Sequence, residues 1–200
     1  MDRRWLLAIG LSSAAFVTPF DARAQVHWDA GAQAGATDRI ATGAVPSRSP
    51  GPSGEIHAHV AVYPMLRVGP YAAFDLSPVS GLPDRRVYSA GARAKVTPPW
   101  LAAPWRVWGF LGFGIAYAYA PSTPSLRSSS TTMPEVPVGV GMGYRLHGPW
   151  ELCAELGARW NLAGIGGQRS APAAGASMVE PFLGNDLLAV SLGVGVSLAL

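Results

Sequence analysis

Residues 105–120 read WRVWGFLGFGIAYAYA. The odd positions are Trp105, Val107, Gly109, Leu111, Phe113, Ile115, Tyr117 and Tyr119, and the even positions are Arg106, Trp108, Phe110, Gly112, Gly114, Ala116, Ala118 and Ala120. Side chains two apart on an extended chain share a face. The stretch therefore carries one bulky, mostly apolar face with aromatics at both ends, and a second face that becomes small along most of its length. That is the pattern of a strand; no window after residue 24 carries a helical stripe.

The same alternation recurs on either side. Residues 150–162 set Trp150, Leu152, Ala154, Leu156, Ala158, Trp160 and Leu162 against Glu151, Cys153, Glu155, Gly157, Arg159 and Asn161. The segment 186–200 sets leucines and valines at even positions against Ala189, Ser191, Gly193, Gly195, Ser197 and Ala199. Residues 134–146 oppose Val136, Val138, Val140, Met142, Tyr144 and Leu146 to Glu135, three glycines and Arg145. Residues 55–68 oppose Ile56, Ala58, Val60, Val62 and Leu66 to Glu55, His57, His59, Tyr63 and Arg67. Weaker segments at 26–36, 71–78 and 86–96 complete a set of eight. Several have about 10 residues or more, enough to cross a bilayer at a tilt.

The links alternate in length. Gly69-Pro70, the stretch 98–104 and His147-Gly148-Pro149 are expected to be short turns. Residues 37–54, 79–85, 121–133 and 164–185 are the other connections, and all but 79–85 are long and rich in Ser, Pro, Gly and Ala. Short turns at one end and long loops at the other are the habit of outer-membrane barrels, and an even strand count returns both termini to the short-turn side.

Composition agrees with export. Only 14 % of residues are charged against 49 % hydrophobic, a low charge content for a soluble surface. The formal charge of +3 is too small and too scattered for a nucleic-acid footprint. Residues 1–24 read as a signal peptide: Arg3 and Arg4 lead an apolar run from Trp5 to Val17, and Ala22-Arg23-Ala24 is a small-x-small cleavage site. The mature domain is then expected over 25–200. The single cysteine, Cys153, can form no internal disulfide and reads as a small buried filler.

A soluble β-sandwich would also alternate, but its second face would be charged and wet. Here the second face is mostly Gly, Ala and Ser with isolated charges, which suits the cramped interior of a closed barrel; closure also removes the unpaired edges that lipid cannot satisfy. The expected interior acids are Asp29, Glu55, Asp75, Glu135, Glu151 and Glu155, and the bases are Arg67, Arg93, Lys95, Arg106, Arg145 and Arg159. A desolvated lone charge costs several kcal/mol, so these predict an internal ion-pair network. Trp28, Trp100, Trp105 and Trp150 fall near the short-turn ends, and Tyr117, Tyr119 and Trp160 near the long-loop ends. Amphipathic rings favour the headgroup level, so both groups are expected at membrane interfaces.

Signal segment, eight alternating segments and alternating links together resemble the small outer-membrane barrels of the OmpA/OmpX type over about residues 25–200. The resemblance implies an all-β fold, an eight-stranded antiparallel up-and-down transmembrane β-barrel. It also implies residence in the bacterial outer membrane as a monomer, with lipid, lipopolysaccharide and the barrel-assembly machinery as partners and no nucleic acid. Family members usually end in an aromatic residue that assists assembly; this chain ends in Leu200.

Chemistry is sparse. Glu55, His57 and His59 share a strand face, with neighbours about 7 Å apart at Cα, and two such histidines could share a zinc. The plainer reading, adopted here, is that they are polar fillers of a polar lumen, with no metal and no cofactor. No Ser-His-acid arrangement is evident, so no catalytic residue is assigned. Eight strands leave room for little more than side chains, which argues against an open pore. The expected role is therefore non-enzymatic, structural or surface-binding through the long loops. A narrow conduit, or a lipid A-modifying enzyme, is the alternative.

Overall fold

The computed structural model describes residues 27–41, 49–78, 84–98, 104–121, 129–162 and 186–199. Residues 1–24, expected to be a signal peptide, and Trp100 lie outside them. Eight strands follow one another: β1 (Trp28–Ala41), β2 (Gly51–Ala61), β3 (Leu66–Ser77), β4 (Arg85–Val96), β5 (Trp105–Ala120), β6 (Ser129–Arg145), β7 (Trp150–Asn161) and β8 (Asp186–Ala199). Each pairs with its neighbours in antiparallel register, and β8 pairs back onto β1, so the sheet closes. Consecutive strands run in opposite directions. One end of the barrel therefore carries the start of β1, the end of β8 and the β2–β3, β4–β5 and β6–β7 links; it is called the terminal end below. The other, the loop end, carries the remaining four links.

The polarity of this barrel is inverted relative to a soluble protein. Leu111, Phe113 and Ile115 on β5 are 58 %, 59 % and 56 % exposed, and Leu192 and Val194 on β8 are more exposed still. Arg85, Asp75 and Glu135 are 0 % exposed. In water each exposed leucine or phenylalanine would forgo about 1.5–3 kcal/mol of burial. The arrangement is stable where acyl chains cover the outside, because all backbone groups of a closed sheet are paired internally.

Several boundaries differ from the sequence-based expectation. Gly69 and Pro70 lie inside β3, not in a turn; the chain reverses at 62–65, where Tyr63 and Leu66 exchange backbone hydrogen bonds of 3.1 Å. Proline signals a break because it lacks an N–H, and here it leaves a local gap: the β2–β3 ladder runs from His57↔Tyr71 to Val60↔Val68 without pairing Pro70. Pro137 makes the same kind of gap between β5 and β6. Three other ends extend into segments expected as loops. β1 continues through Thr37 and Arg39, β2 starts at Gly51, and β6 starts at Ser129. The tight turn between β6 and β7 holds Gly148 at φ 71°, the one positive φ among the described residues.

Candidate functional site

The lumen is the only place where polar chemistry concentrates among the described residues, and it is built from the inward face of every strand. Asp29 anchors its terminal end. Its carboxylate accepts from Arg67, from His59 Nδ1 at 2.8 Å and from Lys95 Nζ at 3.5 Å. Beside it Arg106 on β5 pairs with Glu151 on β7 at 3.1 Å.

Arg93 sits one step further in and links four groups. Its Nε donates to His59 Nε2 at 3.0 Å, and its Nη1 lies 2.6 Å from Glu55 and 3.2 Å from Glu155. The guanidinium also stacks over the Phe110 ring, 4.7 Å from its centroid. Glu155 in turn accepts from Trp108 Nε1 and from Gln33 Nε2, both at 2.9 Å. Lys95 Nζ lies 4.0 Å over the Trp108 ring. These aromatic platforms hold cations that a dry interior would otherwise penalise.

Two further carboxylates serve the loop-end half. Glu135 on β6 accepts from Tyr71 at 2.8 Å and Ser89 at 3.0 Å. Asp75 on β3 accepts from Thr37, from Arg39 at 2.5 Å and from Arg159 at 2.6 and 2.8 Å. Between these groups a cavity of about 30 Å³, lined in part by Gln33, Ser53, Asp75, Glu155 and Arg159, has room for about two waters.

Of the twelve charges expected inside, the structure buries or half-buries eleven; Arg145 is exposed at the terminal rim, where β6 ends against the turn. Two interior bases were missed, Arg39 and Arg85. Both fall in segments whose composition reads as loop. The signal that could have found them is parity, since Arg39 continues the odd-numbered polar face of Asp29, Gln33 and Thr37. The inner face of β5 is also bulkier than expected at one end. Trp108 and Phe110 fill the lumen, and β6 makes room for them with Gly141 and Gly139, where a Cβ would run into the two rings. Cys153 is buried against this aromatic pair.

The zinc candidates separate. Asp29, His57 and His59 bring their ligand atoms within 4.8 Å of one another, whereas Glu55 Oε1 is held by Arg93 at 2.6 Å and lies 3.5 Å from His57 Nδ1. His59 has no lone pair to spare. To donate from Nδ1 to Asp29 and accept at Nε2 from Arg93 it must be the neutral Nδ1–H tautomer. A divalent cation there would also face Arg67, Arg93 and Lys95.

Solved structures with the same architecture cover most of the chain. A major outer membrane protein from Thermus thermophilus superposes with a TM-score of 0.63 at 14 % identity, over 88 % of this chain and 100 % of that one. Neisserial surface protein A gives 0.59 at 18 % identity, over 86 % and 96 %. The fold is that of the small outer-membrane barrels. Ail, the attachment invasion locus protein of Yersinia pestis, belongs to the same group of neighbours, with a TM-score of 0.55 at 13 % identity over 88 % and 99 % of the two chains. No protein-family model matches the sequence, and neither does any curated protein.

On the outer surface of the barrel the tryptophans and tyrosines fall at the two ends, with Phe113 between them on β5. Trp28, Trp105 and Trp150 stand at the terminal ends of β1, β5 and β7, each about half exposed, and Trp105 meets Tyr144 edge-on at 4.9 Å. Tyr117 and Trp160 stand exposed toward the loop end, with Tyr119 partly covered. Tyr88 joins them, packed against Phe74 at 5.2 Å.

Proposed function

We propose that the chain is a bacterial outer-membrane protein without enzymatic activity, which serves the envelope as a structural element or binds at the cell surface through its loop-end links. The observation that carries the reading is the inverted polarity: a continuous apolar outside around a lumen filled by paired charges. The spacing of the aromatics supports a membrane. Trp105 and Tyr117 are twelve residues apart on β5, about 40 Å along the strand. At a barrel tilt of about 40° that is about 30 Å along the axis, one hydrocarbon thickness. The two ends would then be aromatic belts at the headgroups.

The lumen supports a closed barrel. Arg93, Trp108, Phe110, Glu55 and Glu155 cross it in one layer, and the cavity beside them holds only about 30 Å³. The absence of enzymatic activity is read from the histidines. His57 and His59 point inward and are buried, away from lipid substrates, and His27 and His147 lie exposed at the terminal end. A surface role draws on one structural neighbour whose name records attachment and invasion. Lipid and lipopolysaccharide around the wall, and the assembly machinery during insertion, are the partners of a monomeric barrel of this kind.

Cell fractionation with gel mobility before and after boiling tests the reading. The expected result is the mature protein in outer membranes, migrating faster unheated than heated. Recovery in the soluble periplasm would overturn it. Planar-bilayer recording separates the closed barrel from a narrow conduit: the wild type is expected to show no steady conductance.

A further inference from the structure

The loop-end third of the lumen contains buried hydrogen-bonding atoms that its neighbours do not use. Arg159 commits Nη2 to Asp75, while its Nε and Nη1 have no partner. Asn161, two residues along the same inward face of β7, is 2 % exposed, and neither atom of its amide is bonded. Ser77 Oγ, two residues beyond Asp75 on β3, is also buried and unbonded. Buried polar groups are almost always satisfied, so each orphaned one calls for an explanation, a bound water or ion among them.

The chemistry at this end selects the occupant. The unused atoms are mostly donors. Arg39 and Arg85 project into the same third of the lumen; both have contacts of their own and contribute positive field, not vacant donors. The two acids there are already engaged, Asp75 by Thr37, Arg39 and Arg159, and Glu135 by Tyr71 and Ser89. Donors beside guanidinium groups in a dry site are matched best by an acceptor that carries charge, and planar guanidinium favours oxyanions. The cavity of about 30 Å³ that also borders Arg159 is not this site: Glu55, Asp75 and Glu155 line it and would repel an anion.

We propose that the loop end of the lumen binds a small oxyanion, of the phosphate or sulfate class, through Arg159, Asn161 and Ser77 in the field of Arg39 and Arg85. This concerns the lumen and stands apart from where the barrel resides. The same donors would accept a free anion or a phosphomonoester on a sugar headgroup.

The test uses the full mature chain refolded in uncharged detergent micelles. Its thermal midpoint is followed against sodium phosphate, sodium sulfate and glucosamine 1-phosphate, with sodium chloride at matched ionic strength as reference. A saturable rise with the oxyanions is expected, reduced at least ten-fold in apparent affinity in Asn161→Leu and Arg159→Gln and retained in Arg106→Gln at the opposite end. A rise with inorganic phosphate or sulfate identifies a free anion; a rise with the sugar phosphate alone identifies a headgroup. No saturable rise with any of the three overturns the proposal, and so does a rise undiminished in the variants. Should Arg159→Gln fail to fold, Asn161→Leu and Ser77→Ala carry the same comparison.

Discussion

Asp75 on β3 and Arg159 on β7 meet across the full width of the barrel, with Nη2 2.6 and 2.8 Å from the two carboxylate oxygens. Strands four apart in a closed sheet of eight lie diametrically opposite, so this pair ties the two walls together. Asp75 also holds Arg39, and all three residues are at least 95 % buried. Replacing Asp75 by Leu leaves two guanidinium groups in a dry lumen without their counter-charge. Breaking a buried pair by removing one partner costs about 3–5 kcal/mol. Urea unfolding of Asp75→Leu in micelles is expected to fall by that order, and a change under 1 kcal/mol would mean that water reaches the site.

The outer surface makes a prediction that separates lipid from water. Leu111 stands near the middle of β5, 58 % exposed, and Val107 stands near its terminal end, 37 % exposed. In a bilayer Leu111→Arg should cost about 2–4 kcal/mol, and Val107→Arg about 0–1, because the cost of a lipid-facing charge falls toward the interfaces. Unfolding equilibria in vesicles measure both. On a water-exposed surface the two substitutions would be nearly neutral and equal.

How much of this was legible follows from which faces alternate without interruption. β5, β7 and β8 were readable to within a residue or two because small or charged positions oppose large apolar ones throughout. Ends are harder to place where the inner face uses Ser, Thr and Arg, the residues that also compose loops: Thr37 to Arg39 and Ser129 to Met133 have the composition of connections and are strand. Pro70 signals a turn because it lacks an N–H, yet a local gap in the ladder is tolerated inside β3. The set of inward charges was almost fully visible by parity. Their partners were not, since Asp75 and Arg159 are 84 residues apart and only closure of the sheet brings them together.

Trp108 and Gly141 form a matched pair across neighbouring strands. The ring is 3 % exposed and occupies the space that a Cβ on Gly141 would need. Gly141→Val is expected to displace the ring and break its bond to Glu155; Trp108→Ala removes both the ring and the platform under Lys95. Large-to-small changes of this kind cost about 3–5 kcal/mol. Because Trp108 and Phe110 also block the lumen, the double variant Trp108→Ala/Phe110→Ala should show bilayer conductance that the wild type lacks. A silent double variant would assign the block to the ion pairs alone.

His57 and His59 are neighbours on one face, with rings 4.9 Å apart, and differ in what they hold. His59 joins Asp29 to Arg93 through both nitrogens, whereas neither nitrogen of His57 makes a hydrogen bond, its Nδ1 lying 3.5 Å from Glu55. Removing His59 therefore strips a buried acid and a buried base of one bond each, at about 1–3 kcal/mol for each group left unsatisfied. His57→Ala removes packing against Gly31 and the His59 ring and a 3.5 Å contact with Glu55, but breaks no hydrogen bond. Unfolding measurements should rank His59→Ala well below His57→Ala in stability. Zinc titration of the wild type by calorimetry should give no saturable heat, since a metal would have to displace Arg93 from His59 beside two further cations. Saturable zinc heat that disappears in both variants would show that the histidines form a metal site and not a polar filling.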